Sequence, residues 1–276
     1  MSTDLVCCYN CKSTNSSLYA EENGYKLVKC DQCGLLYVNP RPGKEEMSQA
    51  TMSGLHKGEK IINVTEVFKP EKVKHYLSIL FDLYGTDIPT DKKSWMDIGC
   101  GNGEFLLALS KYFTHNIDAK GIEPNVHKQQ VAKDKGLNVG FYDLKTTSEK
   151  YDTISILNVY SHLPDPVEAF TNWRDLLKPG GELIIETGDS SHLSYKEHHK
   201  PFYLPDHLSF ANEEIVTSIL KRTGYEVIVI KKYRYHMGLL ATVKDTILFI
   251  LRKKKYLFST FNKRPTDMWI RARKVD

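Results

Sequence analysis

From Ser94 onward, short apolar runs alternate with amphipathic stretches, the pattern of a mostly parallel sheet covered by helices on both faces. Strands are predicted at "SWMDIG", "AKGIE", "LNVGFY", "YDTISILNV" and "GELIIET", with helices at roughly 103–113, 124–135 and 166–177 between them. Pro124 and Pro166 suit first helical turns, where a missing N–H costs little, and Asp165 is placed to cap the second of these helices. A helix over "NEEIVTSILKRTG", a strand at "YEVIVIKKY" and a last strand at "TDMWIRARK" complete the alternation. Upstream, "FKPEKVKHYLSILFDLYG" places Val73, Tyr76, Leu77, Leu80 and Tyr84 on one face of a helix that starts near Pro70 and stops at Gly85. That helix is expected to pack on the sheet.

Before residue 43 the periodic pattern gives way to cysteines. Cys8-x2-Cys11 and Cys30-x2-Cys33 form two knuckles separated by 18 residues, the arrangement that offers four thiolates to one tetrahedral Zn²⁺. "YKLVKC" reads as a strand of a small zinc ribbon, and Gly34 suits the tight turn after the second knuckle. Cys7 is the spare, and Cys100 stands alone. Four thiolates do not choose between zinc and iron, and two disulfides would demand an oxidising compartment. With every position taken by cysteine, the metal is expected to be structural. Residues 1–42 are therefore assigned to the ribbon, 43–90 to a linker and packing helix, and 91–276 to the sheet domain.

A chain of 276 residues with 41% apolar residues can bury a substantial core. The opening "MSTDLVCCYN" lacks the basic start and apolar stretch of a secretory leader, so a cytoplasmic protein is expected. The net charge of +4 conceals an asymmetry, because residues 231–276 carry 13 Lys and Arg against 3 Asp and Glu. Much of this charge borders "HMGLLATVKDTILFILRKKKYLFSTFNK", which reads as a basic amphipathic insertion near 236–264. It is too short and interrupted to span a bilayer. A solvated basic face, or peripheral contact with an anionic membrane, accounts for it.

The first strand of the sheet runs into "DIGCGNGEF", where glycines let a ligand approach the backbone closely. Glu104 stands where a dinucleotide loop would have glycine, and Asp97 precedes the loop. Such an acidic rim repels a pyrophosphate but suits a ligand carrying an ammonium and a sulfonium. Glu123, at the end of the second strand, is placed to accept hydrogen bonds from ribose hydroxyls, and Asp143 from an adenine amino group. Together "DIGCGNGEF", "GIEPN" and "LNVYSHLPDP" resemble class I S-adenosylmethionine-dependent methyltransferases over residues 91–235. "VKCDQCGLLYVNPRP" ahead of such a domain resembles bacterial methyltransferases of sugar and polysaccharide pathways that carry an N-terminal zinc ribbon. The resemblance implies an α/β, Rossmann-like, doubly wound seven-stranded sheet with its last strand antiparallel. It also implies Asp97, Gly99 and Gly101 at the methionine and ribose end of S-adenosylmethionine, Glu123 at the ribose, Asp143 and Leu144 at the adenine, and Asn158 near the methionine.

Methyl transfer to a sugar hydroxyl gains from a base at the carboxyl ends of the fourth and fifth strands. His162 and His207 are the candidates. Related sugar methyltransferases show a Glu-His pair at the first position, but here Ser161 replaces the Glu, leaving the imidazole without its carboxylate. A divalent metal using Asp206, His207 or Asp189 is also open, and His198 and His199 are expected to be exposed. The leading expectation is O-methylation of a sugar or nucleotide-linked sugar in polysaccharide biosynthesis. N-methylation of a small amine, RNA methylation and a non-catalytic zinc-ribbon binding module are the alternatives. Nucleic acid is disfavoured because Glu21, Glu22 and Asp31 offset the lysines of the ribbon.

Overall fold

The computed structural model describes residues 3–53, 67–86, 91–114, 116–141, 143–144, 146–233, 247, 250–251 and 267–275. The cysteine-rich region holds β1 (Thr3–Asp4), β2 (Ser16–Glu22), β3 (Tyr25–Cys30), β4 (Leu36–Val38) and β5 (Arg41–Pro42), followed by α1 (Lys44–Ser53) and α2 (Pro70–Tyr84). The alternating region comprises β6 (Lys93–Ile98), α3 (Glu104–Tyr112), β7 (Ile117–Ile122), α4 (Val126–Lys133), β8 (Val139–Gly140) and β9 (Tyr151–Leu157). It continues through α5 (Pro166–Arg174), β10 (Leu177–Gly188), β11 (Ser209–Phe210), α6 (Glu213–Arg222), β12 (Tyr225–Tyr233) and β13 (Asp267–Lys274).

Seven strands form one sheet in the order β12-β13-β10-β9-β6-β7-β8, parallel throughout except that β13 runs antiparallel to both its neighbours. Successive strand residues face opposite ways, which divides the core into two layers. Met96, Ile154 and Ile185 pack with Phe170 of α5 and Ile215 of α6, while Trp95, Ile184 and Trp269 pack with Tyr76 of α2 and Phe105 of α3. Asp165 caps α5 through the N–H groups of Val167 and Glu168, as expected of an aspartate before Pro166.

Four local expectations are corrected. Residues 44–53 form α1 where a linker is predicted, because Pro40, Pro42 and Gly43 all precede Lys44, and Glu45 and Glu46 favour a first helical turn. Pro124 lies outside α4, whose start is set by Asn125 accepting from the N–H of Lys128. Among its described residues, "LNVGFY" contributes the two-residue edge strand β8. His198 is buried at 7% exposure among Tyr19, Phe202 and Phe210. The amphipathic insertion near 236–264 lies outside the described residues except for Ile247, Ile250 and Leu251, which are exposed. No helix among the described residues is long and apolar enough to cross a membrane.

The cysteine-rich sheet does not close on itself. β11, from the loop after β10, pairs with β4, giving a four-stranded sheet in the order β11-β4-β3-β2. Phe202 and Leu204 of the same loop fill a core with Tyr25, Leu27, Leu36 and Val38. The guanidinium of Arg222 in α6 donates to the carbonyl and side chain of Asn10 at 2.6 and 2.8 Å.

Candidate cofactor and acceptor site

The turn from β6 into α3 is built on glycines in the left-handed region. At Gly99, φ is +74° and an added Cβ would meet Val159 Cγ2 at 2.4 Å, so no other residue fits there. At Gly101, φ is +55° and an added Cβ would meet no protein atom, because this glycine opens onto a cleft. Glu123 holds the opposite wall. Its carboxylate accepts from the N–H of Gly101 and the N–H of Asn125, both at 2.9 Å, clamping the glycine turn to the start of α4.

The cleft has a volume of about 980 Å³ and lies at the carboxyl ends of β6, β7 and β9. Gly99, Gly101, Glu123, Asp143, Leu144 and Asn158 all line it, so six of the seven residues assigned to the cofactor share one wall system. Asp97 does not line it. At 2% exposure it sits beneath the turn and accepts from Ser155 Oγ at 2.6 Å, while Glu104, equally buried, accepts from the N–H of Lys69. The expected acidic rim is thus a buried acidic floor, because helix α2 packs over both carboxylates. Trp173 and Leu176 at the end of α5, and Ala50 and Thr51 of α1, also line the cleft. Nothing in their local sequence marks them, since only the packing of α1 and α5 brings them there.

Asn158 adopts φ +58°, and its side-chain amide donates to Glu186 at 3.0 Å. Burial pushes the Glu186 carboxyl up to about 8 and the Asp97 carboxyl up to about 7. The native protein therefore holds protons that the unfolded chain has released, so its stability without ligand declines as pH rises from the ordinary carboxyl range towards 8. A cation entering the cleft favours the ionised forms. Affinity for S-adenosylmethionine is accordingly expected to rise across pH 7 to 8, and that for S-adenosylhomocysteine, whose sulfur is uncharged, to rise less. Calorimetric titration of both ligands across that range checks this, and parallel pH dependences would refute it.

His162 and Asp206 line the same cleft. His162 ends a 3-10 turn, Tyr160–His162, and its Nδ1 donates to the Asp206 carbonyl at 2.8 Å with the Asp206 carboxylate 3.6 Å away. The carboxylate missing at Ser161 is therefore supplied from 44 residues downstream, which corrects the expectation of an unassisted imidazole. Burial depresses the His162 pKa, but the Asp206 carboxylate and carbonyl outweigh it and the net shift is upward. His207 differs. It does not line the cleft, its Nδ1 donates to the Phe202 carbonyl, and burial together with the neighbouring His162 pushes its pKa down to about 4. Of the two candidate histidines, His162 combines cleft access with strengthened basicity.

Two clusters among the described residues could hold a metal. Cys8, Cys11, Cys30 and Cys33 converge with Sγ···Sγ distances of 3.5 Å for Cys8–Cys33 and 3.4 Å for Cys11–Cys30, near the roughly 3.8 Å edge of a tetrahedral zinc–thiolate site. Such a set fits a closed tetrahedral site. In the cluster of His162, Asp206 and His207, both Nδ1 atoms are engaged by backbone carbonyls. This second cluster fits a hydrogen-bonded histidine pair better than a metal cage. Asp189, the other acid considered for a metal, is already met by Lys232 and the N–H of Glu213.

A family model described as "Methyltransferase domain" matches residues 70–230, from α2 into β12. The tRNA U34 carboxymethyltransferase of Campylobacter curvus is 29% identical over 121 residues, covering 40% of this chain and 39% of that protein. The ubiquinone biosynthesis O-methyltransferase of Saccharophagus degradans is 30% identical over 108 residues, covering 35% of this chain and 44% of that protein. The chain thus spans less than half the length of these curated relatives. A solved S-adenosylmethionine-dependent methyltransferase from Archaeoglobus fulgidus shares the fold, with a TM-score of 0.52 over 75% of this chain and 95% of that one at 23% identity.

Proposed function

The chain belongs to the methyltransferase-domain family, and on that footing we propose that it methylates a hydroxyl group of a small anionic acceptor, a sugar or nucleotide-linked sugar. The observation that carries this reading is the His162–Asp206 pair on the wall of the cofactor cleft. Bound S-adenosylmethionine supplies an electrophilic methyl carbon, and its transfer leaves the sulfur as a neutral thioether. His162, with Nδ1 committed to Asp206, has Nε2 available to take the hydroxyl proton as the new O–C bond forms. Asp206 stabilises the imidazolium so produced. Lys128, on the same cleft and close enough to depress the His162 pKa, offers a cation to a phosphate or carboxylate of the acceptor. The O-methyltransferase among the relatives supports a hydroxyl acceptor, and the ribbon ahead of the domain supports the sugar class. In this reading the four cysteines hold a structural Zn²⁺.

RNA is the second reading, favoured by the likeness to a tRNA-modifying protein. The two separate in one experiment. Isotopically labelled S-adenosylmethionine is incubated with the protein and either a panel of nucleotide sugars or total tRNA, and products are weighed by mass spectrometry. Label in a nucleotide sugar is the expected outcome. Label confined to tRNA would replace the proposal.

A further inference from the structure

We propose that Tyr9, a residue of the first cysteine knuckle, is a positioning residue for the His162–Asp206 pair, so that the ribbon sets the geometry of the acceptor end. Tyr9 lies between Cys8 and Cys11 and is buried at 7% exposure. Its hydroxyl is 3.1 Å from the hydroxyl of Tyr160 and 3.1 Å from Ser209 Oγ. Tyr160 opens the turn that ends in His162, and Ser209 follows Asp206 by three residues. One hydroxyl therefore joins the two segments that carry the pair.

The same two segments meet a second time beside it. The N–H of Leu208 donates to the Ser161 carbonyl at 2.7 Å, and the Leu208 carbonyl accepts from the N–H of Val38 in β4 at 2.9 Å. Tyr160 and Ser209 are buried at 0% and 1% exposure, so water cannot replace a lost partner in this hydroxyl cluster. Among the described residues, Tyr9 OH is the link that reaches both segments from the knuckle. Its position is in turn held by the turn that the N–H of Lys12 closes on the Cys8 carbonyl and by Arg222 on Asn10. The His162 tautomer is set by the hydrogen bond that its Nδ1–H donates to the Asp206 carbonyl. Loosening Ser209 and Tyr160 moves donor and acceptor of that bond independently.

This inference rests on the reading of His162 as the base only for its consequence, and its test requires no acceptor. Tyr9→Phe removes the hydroxyl and keeps the ring. In the full chain, amide exchange at 160–162 and at Leu208 is expected to quicken by about tenfold or more, with exchange at 97–104 unchanged. The ¹⁵N spectrum of His162 is expected to pass from a single Nδ1-protonated form in the parent chain to a mixture of tautomers, while S-adenosylhomocysteine affinity stays within about twofold. Ser209→Ala, at the other end of the contact, should reproduce the change if Tyr9→Phe does not fold. Unaltered exchange and an unaltered His162 spectrum in the folded variant would overturn the proposal, as would loosening spread evenly over the glycine turn and the sheet. The base reading fails separately, through the turnover of His162→Ala.

Discussion

His162→Ala is expected to lower kcat about a hundredfold, the lower end of what a positioned general base supplies, with S-adenosylmethionine affinity almost unchanged. The asymmetry follows from placement. His162 is hydrogen-bonded to Asp206, whereas the glycine turn and Glu123 hold each other through the N–H of Gly101. The pH–rate profile of the parent chain should show an acid limb set by His162, because only the neutral imidazole can accept a proton. Its pKa is raised by Asp206, so the limb lies above the ordinary histidine value. Asp206→Asn keeps the backbone carbonyl and removes the charge, and should slide that limb to lower pH with a smaller loss of kcat. Steady-state kinetics with the labelled acceptor, run from pH 5 to 9, read both effects. A His162→Ala enzyme at wild-type rate would return this histidine to a packing role.

Replacing one knuckle cysteine should be the most damaging change to stability. Cys8 and Cys30 are both fully buried, and a ligand lost from a closed thiolate site leaves three sulfurs around an unsatisfied cation. Structural zinc in small domains contributes on the order of 10 kcal/mol at neutral pH, so Cys30→Ser is expected to lower the melting temperature by about 10 °C or more. Elemental analysis of the parent chain should find one zinc per molecule, and a strong chelator should reproduce the mutant's melting curve. A parent chain that carries no metal as isolated, or one whose melting curve a strong chelator leaves unchanged, would refute the zinc assignment. Because the β4–β11 pairing and the Phe202–Leu204 core bind the ribbon to the loop carrying Asp206, the damage should not stay within residues 1–42.

The sheet was readable because its signals are local. Short apolar runs in β6, β9 and β10, glycine at the β6–α3 turn and Asp165-Pro166 at α5 each announce themselves within a few positions. The cofactor wall was readable for the same reason, since Gly99, Gly101, Glu123 and Asn158 all terminate strands of that sheet. Asp206 was not. Its meeting with His162 depends on a long loop folding back to pair β11 with β4, and no short window of sequence encodes that return. Glu104 and Asp97 were placed near the cofactor turn in the sequence but on its rim, because the covering by α2 is a packing outcome. β2 was missed outright, its "SSLYAEE" being too polar to read as a strand until β3 pairs with it.

The strand exchange between β11 and β4 has a consequence for how this architecture can be inherited or rebuilt. The cysteine-rich sheet and the methyltransferase domain cannot be spliced as separate cassettes. A ribbon grafted onto another methyltransferase would arrive without its fourth strand and without Phe202 and Leu204 to cover Leu27 and Leu36. The recipient, in turn, would lack the loop that brings a carboxylate to its histidine. Any chimera that works must carry both crossing points together, the knuckle at one end of the sequence and the 202–210 loop some two hundred residues away.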